Sequence, residues 1–199
     1  MCTRGPRRGQ RGISLIELVL FIVIVSVSIA GVLVAIDRTA RASADPLVIK
    51  QALAIAEALL DEVELMPFTF CDPDDAQAAT AQSATFGPTG CASAALIEGI
   101  GAEAAETRYS ASTPFDNVND YNGYDSAAEG GIKDITNTLI TELASYRATI
   151  AIAPAALGGI AATDANGQAN VLLITVTVTG PANTTVVLNG YRTKYAPRI

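Results

Sequence analysis

The sequence contains no histidine and no tryptophan, and aromatic residues make up only 6% of its 199 residues. Without histidine, a Ser-His-Asp triad, a Cys-His dyad and a histidine-ligated metal site are all excluded. Basic residues are also scarce, with 13 Lys and Arg against 20 Asp and Glu, and the net charge is −7. This balance argues against nucleic-acid binding, which requires a basic surface.

Groups that carry catalysis are also missing from the sequence. It has no glycine-rich phosphate loop and no nucleophile beside an evident base. The adjacent acids at 61–62 and 74–75 are interpreted as solvated surface charge. We therefore expect no enzymatic activity and no cofactor.

The chain begins with a short basic segment followed by a long apolar one. Residues 1–12 contain four arginines and no acid, whereas 13–36 are mostly apolar and include Glu17. A helix over the uncharged residues 18–36 is roughly 28 Å long, close to the ~30 Å hydrocarbon core of a bilayer. Because the arginines come first, the positive-inside rule predicts one membrane pass with a cytoplasmic N-terminus and residues 37–199 outside.

A cleaved secretory signal and a plain signal anchor are the simpler interpretations of this segment. A secretory signal has a shorter apolar region, of roughly 7–15 residues, followed by a small-residue cleavage site. Here the charged Asp37 and Arg38 follow the apolar run, and residues 40–42 match such a site poorly. A plain anchor leaves Glu17 unexplained, since an acid inside a membrane segment is costly and commonly functional.

Residues 11–18, RGISLIEL, resemble the class III signal of type IV prepilins and type II secretion pseudopilins. In that family a glycine precedes the first mature residue, and a glutamate stands fifth, at the start of an apolar helix. The resemblance implies cleavage by prepilin peptidase between Gly12 and Ile13, and N-methylation of Ile13. The resemblance also implies that Glu17 pairs with the α-amine of an adjacent subunit. The spacing alone leaves two possibilities: the amine of Ile13 lies one helical turn from Glu17, which can neutralise it in its own chain or in a neighbour.

Three further segments, 44–63, 67–76 and 106–124, resemble the D-type minor pilins of the mannose-sensitive haemagglutinin (MSHA) pilus system. This resemblance implies an inner-membrane minor pilin with a periplasmic head that acts in pilus assembly or initiation, can enter the pilus and supports cell adhesion. Its partners would be prepilin peptidase, the pilus assembly platform, and other major and minor pilins through the N-terminal helix. The alternatives are a minor pseudopilin of type II secretion and a plain signal-anchored periplasmic binding domain.

The rest of the chain divides by its hydrophobic pattern. Apolar residues three and four apart predict an amphipathic helix that ends before Pro67. Residues 132–145 are predicted as a short helix. Alternating residues at 171–179, with three threonines on one face, predict a strand between two others at 146–153 and 184–195.

The predicted fold class is therefore α+β. A long N-terminal helix, membrane stem plus amphipathic half, packs on a C-terminal antiparallel sheet of at least three strands, which is the type IV pilin fold. The predicted organisation is a cleaved leader at 1–12, a transmembrane helix at 13–36, its amphipathic continuation at 37–66, a variable loop region at 67–145 and the sheet of the periplasmic head at 146–199.

Two cysteines, Cys71 and Cys91, lie outside the leader. With no histidine in the chain they make a poor zinc site. In an oxidising compartment we expect them to form a disulfide, and closing a loop of about 20 residues would contribute roughly 3 kcal/mol. Two buried free thiols are the alternative.

Asp and Asn crowd among aromatic residues at 107–125. Such residues commonly form turns by bonding to their own backbone. Clustered oxygen ligands also suit calcium, although the strict spacing of a calcium loop is absent. The candidate calcium ligands are Asp116, Asp120, Asn122 and Asp125, and a contact with a partner protein is the third interpretation.

Overall fold

A long helix, α1, opens the described chain and spans Leu15–Leu65. The computed structural model describes residues 14–103 and 106–194, without the side chains of 39–45. These residues form two compact units with the boundary after Pro46. We call α1 residues Leu15–Arg38 the membrane segment and the second unit, from Leu47 onward, the head.

The membrane segment is long and apolar enough to cross a bilayer. Its large apolar side chains are exposed. The hydroxyls of Ser26 and Ser28 donate to the carbonyls of Ile22 and Ile24, at 2.7 and 2.8 Å. Because these hydroxyls are satisfied inside the helix, the segment fits a membrane anchor or a signal by length and composition.

In the head, α1 buries a single face. The buried residues recur three and four apart, which is the spacing of one side of a helix. They are Ala52, Ile55, Ala56, Leu59 and Val63. The helix ends at Leu65, and the carbonyl of Pro67 accepts a hydrogen bond from the N–H of Val118 at 3.0 Å.

A three-stranded antiparallel sheet closes the head, in the order β1 (Arg147–Pro154), β2 (Val171–Thr179) and β3 (Thr185–Thr193). The three strands predicted from alternation are thus confirmed. The inward residues of β2 are Leu172, Ile174, Val176 and Val178, all fully buried. The threonines of β2 face the other way, and the hydroxyl of Thr175 donates to Asn189 Oδ1 at 2.9 Å.

The helix packs closely on the sheet at β3. Gly190 is buried there, and a Cβ atom on it would lie 2.8 Å from Leu60 Cδ1. The Tyr146 hydroxyl donates to Gln51 Oε1 at 2.7 Å, which ties the start of β1 to the same helix. The head therefore has two layers, one helix on one sheet, and the α+β class is confirmed.

Segment 122–126 covers the outer edge of β1. Ile150 exchanges two backbone hydrogen bonds of 3.0 Å with this segment. The N–H of Ala148 donates to Ser126 Oγ, and its carbonyl accepts from the Ser126 N–H, both at 2.9 Å. The polar backbone groups on this side of β1 are thus paired within the head.

The helix predicted over 132–145 is wrong. Asp134 Oδ1 instead accepts hydrogen bonds from the backbone N–H groups of Thr136 and Thr138, at 2.9 and 2.8 Å. Asn137 adopts a positive φ of 66°, and only Thr141–Leu143 forms a 3₁₀ turn. Short polar side chains here bond to the local backbone and replace the hydrogen bonds of a helix.

Candidate functional site

Of the residues predicted for processing and assembly, only Glu17 can be placed. Gly12 and Ile13 lie outside the described residues. Glu17 stands in the first turn of α1, and its N–H donates to the Ser14 carbonyl at 3.0 Å. It is exposed, as are its neighbours Ile16 and Leu18. A carboxylate here is favoured by the helix dipole and is accessible to a cationic group.

The predicted disulfide between Cys71 and Cys91 is present, with Cα atoms 5.5 Å apart. Free thiols at these positions, the alternative interpretation, are wrong. Both cysteines are fully buried and form a small apolar cluster with Ala78 and Ala81. The segment around Cys71 pairs with the chain near Ile97, so the disulfide holds two layers of loop together.

Two of the four candidate calcium ligands serve local structure near the sheet. Asp125 forms an ion pair with Arg147 at 2.5 Å, and this hydrogen-bonded guanidinium lowers the pKa of Asp125 to about 2. Asn122 Oδ1 accepts from the N–H of Ile152 at 2.9 Å. Both side chains are occupied with holding segment 122–126 against β1.

The other two candidates lie at the 3₁₀ turn Val118–Tyr121. Asp120 Oδ2 accepts from the backbone N–H groups of Asp116 and Asn117, at 3.0 and 2.7 Å. This is the reciprocal half of a capping box whose first half is the Asn117 side chain. Asp116, Asp120 and Asp125 do not form one group of ligand atoms within 4.8 Å of each other.

The sequence suggested that the acids at 61–62 and 74–75 are solvated surface charge. This prediction is wrong for Glu62 and Asp75. Glu62 forms a two-pronged ion pair with Arg108, in which Nε donates to Oε1 at 2.6 Å and Nη2 donates to Oε2. Asp75 is buried and accepts from the N–H groups of Gln77 and Ala92, at 2.7 and 2.8 Å. Their partners are up to 46 residues away, so no local pattern identifies them.

Aromatic hydroxyls surround the Glu62–Arg108 pair. Tyr121 donates to Glu62 Oε1 at 2.9 Å, and Arg108 Nη1 donates to the Tyr124 hydroxyl at 3.2 Å. Burial raises the pKa of Tyr121 well above its usual value. The pair also lines a cavity of about 450 Å³ whose other walls are mostly apolar, including Ile55 and Ile132. The tyrosines are held protonated beside a charge-neutral pair, an arrangement that packs the loop region onto α1.

Comparisons of this protein with family models, with curated proteins and with solved structures found no match.

Proposed function

We propose that this chain is a minor type IV pilin, processed after Gly12 and acting in pilus assembly or initiation. The observation that carries the proposal is Glu17. It is an exposed acid in the first turn of an apolar helix, and this helix begins directly after the sequence RGIS. An acid is expensive in a membrane segment, so its presence there requires a partner. The new α-amine that cleavage creates is such a partner.

The exposed apolar side chains of the membrane segment support a role in which this segment moves from one apolar environment to another. Lipid covers these side chains before assembly, and the helices of neighbouring subunits cover them afterwards. Burying apolar area is worth about 25 cal/mol per Å², so either state is far better than water. Since both states bury a similar apolar area, the pair between Glu17 and the α-amine decides which neighbouring subunit is accepted. A motor must supply the energy that extracts the helix from the lipid.

The head supports an extracytoplasmic and non-catalytic role. Its disulfide suits an oxidising compartment such as the periplasm. A two-layer head behind a single apolar helix is also the arrangement that the resemblance to MSHA minor pilins implies. We infer an inner-membrane subunit with a periplasmic head, whose partners are prepilin peptidase, the assembly platform and other pilins.

The test is the N-terminus and intact mass of the protein isolated from membranes of cells with and without prepilin peptidase. We expect the chain to begin at Ile13 only when the peptidase is active, and to be about 14 Da heavier if methylated. The Glu17→Val variant should be cleaved normally but should reduce filament number strongly. Glu57→Val, which removes an exposed acid from the head part of α1, is the matched control.

Two results contradict the proposal. A chain that retains residues 1–12 in cells with active peptidase is a plain membrane anchor. Normal numbers of filaments with Glu17→Val, in cells that lack the wild-type copy, remove the role assigned to that carboxylate.

A further inference from the structure

Three acids from two segments of the head lie close together, Glu98 and Glu103 from the loop at 97–103 and Asp120 from the 3₁₀ turn Val118–Tyr121. One carboxylate oxygen from each of Glu98, Glu103 and Asp120 lies within 4.8 Å of the other two. Glu98 is only 8% exposed and Asp120 only 1%. Three negative charges at this separation repel strongly where water is excluded. At neutral pH the cluster therefore holds either protons or a compensating cation.

Buried oxygens without hydrogen-bond partners lie in the same place. Glu98 Oε1 accepts from Asn119 Nδ2 at 2.6 Å, but Glu98 Oε2 has no hydrogen-bond partner within 14–103 and 106–194. Asp120 Oδ2 caps the 3₁₀ turn, but neither Asp120 Oδ1 nor Asn119 Oδ1 has a hydrogen-bond partner in the part of the chain that the structure describes. In each of these three side chains, one polar atom forms a hydrogen bond that fixes the orientation, and the remaining oxygen is an unpaired acceptor. Unsatisfied buried acceptors are rare and costly, and several together indicate an unseen partner.

The electrostatic environment is consistent with such a partner. Burial, reinforced by the neighbouring carboxylates, raises the pKa of Glu98 to about 9. Burial also raises the pKa of Glu103 to about 8 and that of Asp120 to about 6. Without a counter-charge the three groups cannot all be ionised at neutral pH.

We propose that Glu98, Glu103 and Asp120 bind a calcium ion in the head. Calcium takes oxygen ligands at about 2.3–2.6 Å, so two of its ligands lie up to about 5 Å apart. The donor set is all oxygen, which suits a hard cation, and the nearby sulfurs of Cys71 and Cys91 are held in their disulfide. Of the calcium ligands suggested by the sequence, only Asp120 belongs to this site.

A cavity of about 240 Å³ is lined by Glu98 and Asn119 and gives room for water on the Glu98 side of the cluster. Lys194 lines the same cavity, but its ammonium lies over the rings of Phe68 and Phe70, at 4.5 and 4.4 Å. Its charge interacts with that of Glu98, but among the described residues Glu98 Oε2 accepts no hydrogen bond. One ammonium group does not balance three carboxylates, so negative charge remains for a cation to balance.

The experiment is calcium titration of the chelator-treated full-length chain in detergent, by calorimetry and by thermal unfolding. We expect one calcium ion per chain, and a rise in Tm of about 5–10 °C at a concentration 100-fold above Kd. Magnesium at the same concentration should raise Tm much less.

Glu98→Gln should weaken calcium binding at least about tenfold, because it removes one charged ligand. In chelator it should unfold at about the same temperature as the wild type, since the amide keeps the acceptor for Asn119 and Glu98, with its raised pKa, is itself uncharged when no cation is bound. Asp120→Asn is the second ligand variant. Asp74→Asn, an exposed acid of the neighbouring acidic group, is the matched control and should change Kd by less than about threefold.

Three outcomes overturn the site: no calcium-dependent rise in Tm, equal losses of affinity in Glu98→Gln and Asp74→Asn, or equal stabilisation by magnesium. Intact-mass detection of the disulfide and circular dichroism verify that each variant is folded. The site does not depend on the proposed function, because binding is measured on the purified chain whatever its N-terminus.

Discussion

Arg108 makes more polar contacts than any other side chain discussed above. It donates to both carboxylate oxygens of Glu62 and to the hydroxyls of Tyr109 and Tyr124. Its side chain is only 6% exposed, and that of Glu62 only 20%. Breaking a buried ion pair leaves an uncompensated charge, whereas replacing both partners by apolar residues often restores stability.

We therefore expect Arg108→Met to lower the free energy of unfolding of the head by about 3 kcal/mol. The double variant Glu62→Leu with Arg108→Met should recover at least half of that loss. Urea unfolding of the full-length chain in detergent measures both. Arg147→Met, which breaks the more exposed pair with Asp125, is the control and should lower the free energy of unfolding far less than Arg108→Met does, because solvent screens an exposed pair. Glu62→Leu alone completes the comparison. If the losses from Glu62→Leu and Arg108→Met simply add in the double variant, the loss at Arg108 is not due to the unpaired charge of Glu62.

Residue-level prediction from the sequence succeeded where the signal was local or the candidates were few. Cys71 and Cys91 were the two cysteines outside the leader, so their pairing followed from redox chemistry. Glu98 and Arg108 gave no such signal, because their partners come from distant segments. Burial, which changes the chemistry of a carboxylate, is visible only once these segments are packed.

At the scale of elements, the contact of α1 with β3 depends on a missing side chain. Gly190 stands in register with Ile174, and both lie on the buried face of the sheet. Leu60 and Glu64 of α1 occupy the space where a Cβ atom would be. The helix can therefore approach the edge strand more closely than it could above any other residue.

Gly190→Ala should lower the free energy of unfolding by about 1–3 kcal/mol, because the added methyl forces the helix outward or strains Leu60. Gly99→Ala is the control, since a Cβ at Gly99 meets no atom within 4 Å, and it should stay within about 0.5 kcal/mol of the wild type. Thermal and urea unfolding provide the comparison. A neutral Gly190→Ala variant would mean that the helix is free to shift without loss of packing.

Elements with a clear period were predictable, and those formed by side-chain bonding were not. The run at 171–179 is a strand because its alternation separates buried residues from threonines. The stretch at 132–145 has apolar residues at helical spacing, yet Asp134 bonds to its own backbone and prevents the helix. A pattern of hydrophobicity does not report this competition.

Across the whole molecule, apolar packing is uneven. The main core joins α1 and the sheet, whereas the second core consists of Cys71, Cys91 and two alanines. Small residues bury little apolar area, so the disulfide supplies much of what holds the loop at 71–97. Regions with so few apolar contacts open at lower free energy than the main core.

Replacing both cysteines by serine should lower the free energy of unfolding by about 3 kcal/mol. Hydrogen exchange should increase first at 71–97, while the amides of β2 keep most of their protection. Mass-resolved exchange on the intact and the doubly substituted chain tests this order. Uniform loss of protection across the head would show instead that loop and sheet open as one unit.

The covered edge of β1 restricts how copies of this chain can associate. Strand addition repeated from head to head needs an open sheet edge on both sides of every head. Segment 122–126 already occupies the polar backbone groups of Ala148 and Ile150, so only the side of β3 remains for pairing. Pairing of strand edges between heads therefore stops at a dimer, and a longer polymer must grow through other surfaces.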